Sequence, residues 1–138
     1  MASGSGEDAV HGLIKNAHLV TGYFGRWPSF HDAEVLRVEM SRTTQPPRME
    51  LDLYASLMSP EVDERGYFRH THKCVVTFLL HDIQEMELEG FNQQNVISGL
   101  YAESKGDAVE VSLGPCFGLN GTVVCRSVEV LRVEPIAE

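Results

Sequence analysis

The sequence predicts an α+β fold: one N-terminal helix packed on a curled, mainly antiparallel sheet of six to seven strands. Three observations predict it. Apolar residues near the N-terminus recur at helical spacing, the chain from Val35 onward alternates with period 2, and the connections between alternating runs are short. At 138 residues the chain fits one domain, spanning 8–138 on this reading, after a small-residue start at 1–7 expected to be disordered. A chain of this size buries roughly two-thirds of its unfolded surface, so it needs neither disulfide nor metal to fold.

The helix is expected from Asp8 to about Val20, where Val10, Leu13, Ile14, Ala17 and Val20 recur at helical spacing; Gly22 supplies the stop. Trp27-Pro28 then forces an extended bend, because proline keeps the residue before it out of the α region. In "VLRVEMS" Leu36, Val38 and Met40 face one way, Arg37 and Glu39 the other. Two prolines break the run at "TTQPPR". "MELDLYASL" follows as its antiparallel partner, with Met49, Leu51 and Leu53 inward and Glu50, Asp52 and Tyr54 outward.

"SPEVDERG" reads as a polar loop leading into "YFRHTHKCVVTFLLHD", a central strand with His72, Cys74, Val76, Phe78 and Leu80 on one face. "IQEMELEGF" alternates again, setting Met86 and Leu88 against Glu85, Glu87 and Glu89. Residues 95–103 read as a strand or an irregular segment. "DAVEVSLG" and "GTVVCRSVEVLRVEPI" supply the last two strands around the Gly-rich turn "GPCFGLNG".

Twenty acidic residues against eleven basic give a formal charge of −9. A chain this acidic lacks the Lys/Arg patch that holds nucleic acid by counterion release. It favours basic partners, nucleic-acid enzymes being the commonest basic proteins, although an acidic surface also serves solubility alone. Cys74, Cys116 and Cys125 form no CxxC pair, so no zinc knuckle or redox dithiol is indicated. The first twenty residues lack the pattern of a secretory signal, and no apolar run approaches the ~20 residues of a membrane helix. The expectation is a cytoplasmic protein, monomer or homodimer, without membrane contact or cofactor.

His31-Asp32 and the pair His70/His72 are the candidates for metal chemistry. An HxH on a strand puts both rings on one face about 7 Å apart, a workable spacing for two ligands. The alternative to be weighed is therefore a small metal-dependent enzyme or metal-binding module using His31, Asp32, His70 and His72. No third ligand stands at a recognisable spacing, no GxSxG is present, and no cysteine is flanked by an activating base, so no catalytic residue is assigned. A third possibility, a small-ligand carrier built on the curled sheet, requires a deep apolar cavity.

The acidic stripes are the candidates for partner binding. Glu85, Glu87 and Glu89 project from one face of their strand, and Glu50 and Asp52 from one face of theirs, with Tyr54 as an aromatic anchor. The plain alternative is a solvated outer face of the sheet.

The stretch "YFGRWPSFHDAEVLRVEM" (23–40), together with the closing valine-rich "GTVVCRSVEVLRVEPI", resembles the immunity protein 50 family of bacterial polymorphic-toxin systems. The resemblance implies a cytoplasmic, non-catalytic protein that binds and neutralises a cognate toxin; a basic nuclease is compatible with the acidic charge. It carries over only the motif residues Trp27, Pro28, Phe30, His31, Asp32 and Glu34, here expected to be architectural. Trp27-Pro28 turns the chain, Phe30 is buried, and Asp32 fixes His31 or accepts a turn N–H, with Ser29 helping to cap the corner.

Overall fold

The computed structural model describes residues 12–43 and 46–136. The expected disorder of 1–7 and the first part of the expected helix, 8–11, lie outside the described residues. The elements run β1 (Ile14–Lys15), α1 (His18–Phe24), β2 (Glu34–Ser41), β3 (Arg48–Val62), β4 (Phe68–Glu89), β5 (Val96–Lys105), β6 (Ala108–Phe117) and β7 (Asn120–Pro135).

The six long strands hydrogen-bond in the order β7-β4-β3-β2-β5-β6, and β6 pairs back onto β7, so the sheet closes into a ring. All these pairings are antiparallel. The fold is therefore mostly β, and the α+β class expected from the sequence is corrected. The reason lies at the N-terminus. Ile14, Ala17 and Val20 are all buried, as their spacing required, but Ile14 and Lys15 are extended. β6 leaves the edge of β7 at Cys125, and β1 fills that edge in parallel, Ile14 opposite Val128 and Lys15 opposite Glu129. Edge pairing outweighs a weak local helix preference. The seven-residue α1 follows, and it runs through Gly22; the stop is Gly25 at φ 86°, whose N–H donates to the Thr21 carbonyl at 2.7 Å. Among the described residues no helix is long and apolar enough to cross a membrane.

Alternation fills the interior as expected for β3 and the middle of β4: Met49, Leu51, Leu53, Cys74, Val76, Phe78 and Leu80 are buried. β2 departs from expectation. Val35 pairs with Leu53 and Arg37 with Asp52, so Leu36 is an extra residue bulged out of the ladder. Val35 is buried, whereas Leu36 and Met40 are exposed. β4 is a single 22-residue strand and absorbs both the expected central strand and the "IQEMELEGF" run. Register shifts lie beside His72 and at Gln84, close to His72 and Asp82 at positive φ, so the strand bends near those points and does not end.

Because β4 is longer than its neighbours, the barrel has two overhangs. At one end β3 and β4 run past β2 and β7 as a two-stranded arm. Of the polar loop expected at 59–66, the first half (59–62) is the end of β3 and the second half (63–66) is the turn at the tip. Asp63 builds its tip by accepting the N–H groups of Arg65 and Tyr67 at 2.8 and 3.0 Å. At the other end β4 runs on beyond β3, paired only with β7. Where β6 turns into β7, the buried Asn95 accepts the N–H groups of Asn92 and Leu119 and donates to the Asn92 carbonyl, all at 2.9 Å.

The interior is packed. Trp27, Phe30 and Phe78 meet edge-to-face at centroid distances of 5.6–6.3 Å. The void beside Trp27 and Phe78 is about 20 Å³, room for one water at most. That is not the cavity a small-ligand carrier needs.

Candidate functional site

The "WPSFHD" stretch is the seam that closes the barrel. β2 and β5 share one register pair, Glu34 with Val96, and the rest of their junction comes from the residues before β2. Leu100 N–H donates to the Ser29 carbonyl at 3.3 Å, Asp32 N–H to Ile97 at 2.9 Å, Ile97 N–H to Ala33 at 3.0 Å and Val35 N–H to Asn95 at 2.7 Å. Buried Pro28 and Phe30 fix the entry. A turn follows in which Ala33 N–H donates to the Phe30 carbonyl at 3.1 Å and Asp32 takes φ 66°. Asp tolerates that left-handed conformation better than most residues. Phe30 holds φ 62° as well, a strained choice for a bulky residue that the barrel contacts of its ring enforce. Ser29 accepts the His31 N–H at 3.2 Å, the corner cap its position suggested.

Above the seam lies a groove of about 250 Å³ lined by His31, Asp32, Tyr54, Ser56, Met58 and His70. His31 and Asp32 are both well exposed, with Nδ1 3.1 Å from Oδ2. Ser56 Oγ lies 3.2 Å from His70 Nδ1. The fold thus brings His31, Asp32 and His70 to one groove, but His72 goes elsewhere. The bulge turns its ring against Tyr23 and Phe24, at 5.5 and 6.1 Å, so His70 and His72 do not share a face. Among the described residues no group of three or more His, Cys, Asp and Glu side chains is placed to hold a metal ion.

Glu50 and Asp52 lie on the outer face, as predicted, and are paired there with a cation of the neighbouring strand. Arg37 donates from Nε to Asp52 Oδ2 at 2.8 Å and from Nη2 to Glu50 Oε1 at 2.7 Å, with Glu39 at 3.3 Å. Thr77, buried on the outer face of β4, donates to Asp52 Oδ1 at 2.7 Å. Burial alone would raise the Asp52 carboxyl; the hydrogen bonds from Arg37 and Thr77, with the charges of Arg37 and Arg132, outweigh it and hold the group below its ordinary value. Its hydrogen bonds to Asp52 and then Glu50 raise the Arg37 guanidinium further above its already high value. The signal was present in the sequence: β2 and β3 as antiparallel neighbours put a lone Arg beside two carboxylates.

Glu85, Glu87 and Glu89 are different. All three are exposed on the β4 overhang, and no cation pairs with them among the described residues. Of the six residues singled out for partner binding, these three keep their charges uncompensated. Tyr54 is half-buried and lines the groove with His31 and His70.

No curated protein and no solved structure matches the chain. The sequence does match the family described as Immunity protein 50 over residues 16–136, from the residue after β1 to the end of β7. With the seam motif and the whole barrel inside that match, the chain belongs to the immunity protein 50 family.

Proposed function

We propose that this protein neutralises a cognate bacterial toxin by binding it, with no catalysis of its own, in the cytoplasm of the cell that makes the toxin. Family membership over residues 16–136 is the observation that carries the reading. The geometry is consistent with a binding protein. The interior is filled by side chains, and the overhangs of β3 and β4 leave surface for a partner without opening the barrel. The uncompensated charges of Glu85, Glu87 and Glu89 favour a basic partner and speed its encounter at low salt. A nuclease toxin, which must itself carry positive charge to hold its substrate, fits that requirement.

The test is co-expression with the toxin domain encoded beside the gene. The expected result is restored growth together with a stable complex on gel filtration. A toxin that stays lethal and elutes apart from this protein refutes the proposal.

A further inference from the structure

The overhang of β4 has an open backbone edge. After a bulge at Gln84 the strand pairs with β7 on one side from Glu85 to Glu89. On the other side β3 pairing ends at Arg48 opposite His81, and the last bond across that edge is Ile83 N–H to the Pro47 carbonyl at 3.0 Å. Among the described residues nothing pairs with the edge beyond Ile83. Such an edge is a template for another strand, and proteins ordinarily cover it or blunt it with lysine, proline or a bulge. Other edges are open as well, along β2 beyond Val35 and along β3 beyond Tyr54. The edge beyond Ile83 is distinguished by the three exposed glutamates that no cation pairs with among the described residues.

The side chains state which strand it accepts. Glu85, Glu87 and Glu89 stand on one face, and Met86 and Leu88 on the other, Met86 being exposed. Exposed Phe91 and Phe117 lie next in the chain to Gly90 and Gly118, which approach each other at the far end of the overhang. A second copy of this chain pairing antiparallel on the same edge would bring glutamates against glutamates, which is unfavourable. A strand alternating basic and apolar residues would set Lys or Arg beside the glutamates and its apolar side chains on the face of Met86.

We propose that residues 84–89 bind the toxin by strand addition, receiving an extended segment with alternating basic and apolar residues as a further strand of the sheet. This rests on the toxin-binding reading above and specifies its surface and its partner's chemistry. Backbone hydrogen bonds to the open edge supply the pairing, and the three glutamates select the sign of the partner.

The experiment is amide hydrogen exchange on the full chain with and without the toxin domain encoded beside its gene. Its companion is binding by the triple variant Glu85→Lys, Glu87→Lys, Glu89→Lys. The expected result is slowed exchange within residues 84–89 in the complex and a loss of affinity on the order of tenfold or more in the variant. The three positions are exposed and unpaired, so an unchanged melting temperature is expected and confirms that the variant is folded. If that variant melts early, Glu→Gln at the same positions replaces it, with affinity again expected to fall. A complex that forms with unchanged exchange at 84–89, or folded charge variants that bind as tightly as wild type, overturns the strand-addition proposal and leaves toxin binding standing. Protection of 84–89 by self-association without toxin also overturns it. A chain that binds no toxin overturns the parent reading, and this one with it.

Discussion

Arg37 and Asp52 face each other across β2 and β3, with the guanidinium Nε 2.8 Å from the carboxylate Oδ2 and the second carboxylate oxygen held by Thr77. This pair explains why two of the six residues marked as a binding surface are occupied in holding strands together.

Replacing Asp52 with Asn is expected to cost about 1–2 kcal/mol, since it weakens two hydrogen bonds and leaves buried Thr77 and Arg37 poorly partnered. Chemical denaturation measures it. The folded carboxyl titrates below its ordinary value of 3.8. Its contribution is therefore present above about pH 4 and is lost as pH falls through the folded value. Wild type should lose stability in that acid range, and the difference from Asp52→Asn should shrink there. A constant difference from pH 7 to pH 3 contradicts this assignment.

His31→Ala should change stability by less than about 0.5 kcal/mol, because the ring is exposed. Phe30→Ala should cost about 3–5 kcal/mol, because its buried ring touches Trp27 and Phe78 at the seam. Thermal melts of the two variants check the ranking. The reverse order contradicts an architectural role centred on Phe30.

Gly121 takes φ 135° where β7 crosses β4, and a Cβ there would collide with the Glu87 carbonyl oxygen. Gly121→Ala is expected to destabilise by at least about 2 kcal/mol, since backbone must move to admit the methyl. Exchange should rise first in the β4 overhang. An alanine variant that melts with wild type refutes the close approach.

Cys116 is exposed, while Cys74 and Cys125 are buried and their thiols are pushed up to about 11 by burial. A thiol reagent at pH 8 should therefore label one cysteine in the folded protein and three in denaturant. Prompt labelling of two or three without denaturant contradicts the packed barrel.

The inward faces of β3 and β4 were legible because strict alternation survives there from Met49 to Ala55 and from Cys74 to Leu80. Val35 was missed and Leu36 misassigned because a one-residue bulge reverses the apparent phase of β2. His72 was assigned to the interior face for the same reason, and β4 was read as two strands because Asp82 looks like a terminus. Closure of the barrel was invisible to periodicity, since it depends on which strand edges meet. The motif supplied only its location: "WPSFHD" drew notice as a chemical site, and its backbone turns out to join β2 to β5. The loss of Glu50 and Asp52 as free charges needed only the pairing of β2 with β3, a neighbour relation their sequence order already suggested.

The length of β4 has a consequence for how such a protein changes. One strand forms the barrel wall in its middle and leaves both ends outside, separated from the wall by bends near His72 and Asp82. Substitutions at the exposed positions of either end leave the buried side chains in place, so partner preference is free to diversify while the folding core stays as it is.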